Sequence, residues 1–237
     1  MNGVWTVCRK DVRVALASPL LYVFWVVSAL LVGGLFYVGL SVSPEPNLRI
    51  LTTNLAVVNV VLLPLISMGM FAEEEKQGTL EMLLTFPTPL WSYVGGKYLT
   101  GMVLSSGVFL CSMLCALVLG LLGNVDGGAV VSALIGQVLS VSFCLSVSLF
   151  ASSLTKEPLA AGLLAVGLLL PFFVGEAFVH QVDASWWTSL IQDISLLEHL
   201  APLSKGIVDL TDIGWFMMGT LFFLWMTTQM LEWKRCR

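Results

Sequence analysis

Six uncharged runs constrain this chain more than anything else in it: Val14–Pro44, Ile50–Ala72, Tyr98–Val125, Gly127–Thr155, Pro158–Gly175 and Ile213–Leu231. Each reaches about the 18 residues that a helix needs to cross a bilayer. One such run fits the buried helix of a soluble core; six do not. Composition agrees, with 57% hydrophobic and only 11% charged residues, against about a quarter charged in a soluble domain. The expected fold class is an all-α polytopic membrane protein, a single transmembrane domain over residues 1–237. Its six transmembrane helices are expected at about 20–42, 50–71, 93–122, 129–153, 158–179 and 213–232.

The basic residues orient the spans. With the N-terminus inside, Arg9, Lys10, Arg13, Lys76, Lys97, Lys156, Lys234, Arg235 and Arg237 fall on the cytoplasmic side, and only Arg49 and Lys205 fall outside. The positive-inside rule then gives an N-in, C-in topology. No A-x-A-like site follows the first apolar block, so it is expected to stay as a span rather than be cleaved. Before it, residues 4–17 form an expected interfacial helix. Trp5, Cys8, Val12, Ala15 and Leu16 recur at helical spacing, with Arg9, Lys10 and Arg13 to one side, facing lipid headgroups or serving as a plain basic flank. Pro19 starts the first span, where its missing N–H costs nothing.

Span four carries a ladder of small residues: Ser132, Gly136, Ser140, Cys144, Ser148 and Ser152. Small residues four apart let helix backbones approach closely in lipid. The ladder serves packing inside the chain, a subunit interface or a polar path. Between spans five and six, Gln181–Asp212 is read as short outer helices. Trp186 and Trp187 lie at the membrane interface, with Ile191, Ile194 and Leu197 on an apolar side and Asp193, Glu198 and His199 toward water.

Chemistry of other kinds is missing. "YVGGKY", Tyr93–Tyr98, is no phosphate loop, because Trp91 and Tyr98 stand where the pattern needs Gly and Ser or Thr. Its glycines ease the start of span three, and Lys97 is expected to reach back to the inner headgroups. Both histidines, His180 and His199, fall outside, and there is no H-E-x-x-H; catalytic residues, metal ligands and a cofactor in this chain are not expected, nor is nucleic acid. The five cysteines give no disulfide framework. Asn54, Asn59, Gln137 and Glu176 are the polar residues in spans that ask for a role. Glu176 and His180 share a helix face and either meet a substrate or sit at headgroup depth.

The most polar stretch of the first half is "AEEEKQGTLEMLLTFPTP", Ala72–Pro89. Glu73–Lys76 extends span two past the membrane, Gly78 permits a bend, and Thr79 is placed to cap a short amphipathic helix that Pro87 and Pro89 stop. Leu80, Leu83 and Leu84 form one face and Glu81 the opposite one. "FAEEEKQGTLEMLLTFPTPLWSYVGGKYL", Phe71–Leu99, resembles the permease subunits of ABC-2-type ABC transporters, with their E-x-x-x-G-T-L-E-x-L-L-T-x-P pattern before a span opening on G-K. "KDVRVALASPLLYV" resembles the family's connecting helix and first span, and Ser195–Phe216 resembles its gliding-motility-type branch.

The resemblance implies that Thr79–Phe86 is a cytoplasmic coupling helix docking on a separate ATP-binding subunit, present in two copies with ATP and Mg bound there. Contact would come from Glu73, Glu74, Glu75, Leu80, Glu81, Leu83, Leu84 and Phe86. It also implies a second six-span permease subunit, identical or related, and a bacterial inner membrane setting. Export is the direction it favours, along a path flanked by Asn54, Asn59, Glu176 and His180. A non-transporting membrane scaffold or mechanotransmitting partner of an ATPase stays open as the alternative.

Overall fold

The computed structural model describes residues 2–42, 48–80, 89–122, 127–179 and 193–235, and those residues are almost wholly helical. Helix α1 is Asn2–Ala17, α2 Pro19–Val42, α3 Leu48–Lys76, α4 Leu90–Leu104, α5 Ser106–Leu122, α6 Gly127–Leu154, α7 Pro158–Val179, α8 Leu196–Ser204 and α9 Leu210–Arg235. Five stretches are long and apolar enough to cross a membrane: Pro19–Ser41, Leu48–Lys76, Leu90–Gly120, Gly127–Leu154 and Leu210–Arg235. Helix α7 is equally apolar, but its described apolar segment, Pro158–Phe173, falls short of that length.

Local chemistry sets the breaks. Ser18 turns the chain between α1 and α2 and its hydroxyl accepts the Leu20 N–H at 3.3 Å, with Pro19 at the first helical position. The expected third span is two helices, α4 and α5, bent at Ser105 (ψ −2°). Trp25 of α2 fills that bend: its indole N–H donates to the Leu104 carbonyl at 2.9 Å while its ring lies over Gly107, where a Cβ would fall 2.4 Å away. Asp209 caps α9 by accepting the Thr211 N–H and hydroxyl, both at 3.0 Å. Those hydrogen bonds, the backbone one first, hold its carboxyl below the usual carboxylate range.

Helices α3 and α6 form the centre and run in the same direction, as their contacts keep a constant offset. Asn59 meets Ser140, and Phe71 and Ala72 meet Ser152. Around Phe143 of α6, the rings of Phe172, Trp215, Phe216 and Phe223 pack mostly edge-to-face and join α7 and α9 to it. Helix α2 presents Leu20, Val23, Val26 and Leu30 outward, and α7 presents Leu159 and Leu163, faces that suit lipid.

Two expectations need correction. The buried side of the outer helix is Leu196, Leu200 and Leu203, while Ile194 is exposed. Ser195 is extended (φ −69°, ψ 123°), so helical phase does not carry across it. His199 is not turned to water: its ring stacks on Trp215 at 4.7 Å, and Nδ1 lies 2.8 Å from Asp212 Oδ1.

Candidate functional site: the polar elbow

Helix α3 continues through Glu73–Lys76 as a polar end and stops at Gly78, whose φ of +70° is the left-handed value of a helix C-terminal glycine. Gln77 N–H donates to Glu73 O at 2.9 Å, and Gly78 N–H to Glu75 O at 3.1 Å. Thr79, expected as the cap of the following helix, looks backward instead. Its hydroxyl donates to the Glu74 carbonyl at 3.1 Å, satisfying an orphan acceptor of α3. Helix resumes at Thr79–Leu80. Glu81, Leu83, Leu84 and Phe86 lie outside the described residues.

Leu80 is 2% exposed and packs within this chain, in a cluster with Phe71, Leu90, Tyr93, Val94 and Leu231. The elbow is thus seated on α3, α4 and α9 before its amphipathic part begins.

The acidic run beneath it fans out. Glu73 faces solvent. Glu74 turns inward, its Oε1 taking Lys97 Nζ at 2.7 Å and its Oε2 the Tyr93 hydroxyl. Lys97 also lies 3.1 Å from Asp11 of α1, so its side chain, 6% exposed, sits between two carboxylates. This overturns the reach to headgroups: the acids it needs are inside the protein. Gly96 makes the arrangement possible, because a Cβ there would stand 2.8 Å from Val7 Cβ and 3.0 Å from Val4 O. Its role is close approach of α1, beyond the easing of a helix start that its sequence context suggests.

Glu75 points the other way, to Lys234 of α9 and, at 3.8 Å, to Lys156 between α6 and α7. Lys76 pairs with Glu157 at 2.9 Å, both largely exposed. Exposed pairs contribute about 0–1 kcal/mol, so the buried Glu74 and Glu75 contacts carry the connection. Three successive residues therefore tie the end of α3 to α1, α4, the α6–α7 link and α9.

Elsewhere, Asn59 is fully buried and donates to Ser140 Oγ at 3.2 Å, while Asn54 is half-buried near Gly39 of α2. Glu176 lies in α7, with its side chain outside the described residues, as is the whole of His180. The six ladder residues of α6 are all buried. Ser132 donates to Leu203 O at 2.6 Å and Gly136 faces Leu200 and Leu203; Ser152 donates to Met68 O at 2.9 Å and accepts from Phe71 and Ala72. Cys144 joins the central apolar cluster, and Ser148 returns its hydroxyl to Cys144 O. Sequence reasoning missed the Asp11–Lys97, Glu75–Lys234 and His199–Asp212 pairs. Nothing in residue spacing pairs them, because each joins residues of different helices.

The family described as ABC-2 type transporter matches residues 2–207, most of the chain. The chain belongs to the ABC-2 type transporter family. Among curated proteins none matches it. The matched region contains α1, the elbow and the whole Asp11–Lys97–Glu74 cluster, whereas Lys234, the partner of Glu75, lies beyond it. ABC-2 proteins of this kind are the transmembrane component of an ABC transporter, and the apolar helices agree with a multi-pass membrane protein.

Proposed function

We propose that this ABC-2 protein is the permease subunit of an ATP-driven exporter, moved by a separate ATP-binding subunit that docks on the elbow. Two copies of that subunit close on ATP and Mg, and two six-span permeases, identical or related, form the membrane part. In this reading α7 is the fifth of six spans, both termini are cytoplasmic, the setting is a bacterial inner membrane, and the chain falls in the gliding-motility-type branch. Leu83, Leu84 and Phe86 enter a groove on the ATPase, with Glu81 and the exposed Glu73 beside it. Leu80, Glu74 and Glu75 act from within, holding the elbow's base. Asn54, Asn59, Glu176 and His180 flank the path.

The fan of Glu74 and Glu75 carries this reading. A surface loop needs no buried ion pairs to three surrounding elements, whereas a lever needs a base that passes displacement to all of them. Leu83→Asp with Phe86→Asp is expected to abolish co-purification of the ATPase while membrane insertion persists. Retained co-purification would overturn the docking assignment. ATP-dependent flux in liposomes separates an exporter from a scaffold that holds an ATPase without moving anything.

A further inference from the structure

We propose that Asn59 and Gln137 form a water-binding site inside the bundle, roofed by α8 and closed by a His199–Asp212 clasp. Gln137 of α6 is 2% exposed, and neither its Nε2 nor its Oε1 has a partner among the described residues; the Oδ1 of fully buried Asn59 also lacks one there. Ser140 of α6 accepts the Asn59 amide, and Gln137 stands three residues before Ser140, within one helical turn, so the two unpartnered amides belong to neighbouring positions of the α3–α6 packing. In a bilayer no outside solvent satisfies such groups, so leaving them unpaired is costly. Both donor and acceptor capacity stand unused. That favours a ligand that gives and takes hydrogen bonds over a cation or an anion, and water is the smallest such ligand.

The roof is α8. Gly136, next to Gln137, faces Leu200 and Leu203, which come within 3.2–3.3 Å of where a Cβ would stand, and Ser132 holds the Leu203 carbonyl. At its other end, α8 reaches α9 through His199, set between Asp212 Oδ1 and the Asp193 carbonyl (3.2 Å from Nε2) and stacked on Trp215. Cutting that clasp frees one end of the roof. The inference rests on the permease reading only for its purpose, water access along a moving helix seam, and its test needs no ATPase.

Pulsed hydroxyl-radical footprinting in ¹⁸O-water oxidises side chains beside bound water. In the full chain in detergent, Leu200 and Leu203 are expected to be labelled at least fivefold faster than Leu62 and Leu119, leucines that are equally buried in apolar surroundings. Gln137→Leu is expected to remove that excess at an unchanged thermal midpoint, and His199→Ala to increase it severalfold. Labelling at the reference rate would overturn the site, and an excess that survives Gln137→Leu would overturn its assignment to the amides. No response to His199→Ala would overturn the clasp. None of these results bears on ATPase co-purification, so failure here is separable from failure of the permease reading.

Discussion

A lysine in the first turns of a span usually stretches back toward headgroups, and the sequence around Lys97 offers no reason to expect otherwise. Its actual partners stand 86 residues earlier in the chain, at Asp11, and 23 residues earlier, at Glu74. Removing one member of a buried ion pair leaves an uncompensated charge and costs about 3–5 kcal/mol. Lys97→Met is therefore expected to lower the thermal midpoint in mild detergent markedly, since Glu74 and Asp11 would then face each other. Adding Glu74→Gln and Asp11→Asn should recover most of the loss. An equal midpoint in both variants would assign the loss to packing rather than charge.

Element scale shows what was legible and what was not. Uncharged length marked the spans, because burying that much apolar surface leaves a bilayer as the remaining solvent. The polar extension of α3 and its stop at Gly78 were readable from composition and from the glycine's conformational freedom. The ladder on α6 was readable as a close-packing face, but its partners were not, since spacing says nothing about which neighbour arrives. Its N-terminal end receives α8 and its C-terminal end receives α3. The phase of α8 was lost at Ser195, where one extended residue resets the helical register. Ser152→Leu is expected to separate α3 from α6 at Met68–Ala72, costing about 1–3 kcal/mol by overpacking. Ser152→Ala should cost about 1 kcal/mol for each hydrogen bond its hydroxyl gives up, without the overpacking. Hydrogen exchange at Phe71 and Ala72 would distinguish the two, rising in both but far more in the leucine variant.

For the whole molecule, the proposed function asks how a push at one short segment would reach the surrounding helices. The end of α3 is joined to α1 and α4 on one side through Glu74, and to α9 on the other through Glu75. Coupling demands contacts that persist under load, and burial decides which ones do: the Lys234 and Glu75 side chains are mostly buried, whereas the Lys76–Glu157 pair is open to screening. Lys234→Ala is thus expected to leave ATPase binding at the parent level while removing the nucleotide-dependent change in exchange along α9. Lys76→Ala should alter neither. The charge swap Glu75→Lys with Lys234→Glu should restore the response, because it rebuilds the connection with the opposite polarity. A response that persists in Lys234→Ala would mean that displacement reaches α9 through the apolar cluster of Leu80, Leu145, Leu149 and Leu231 instead.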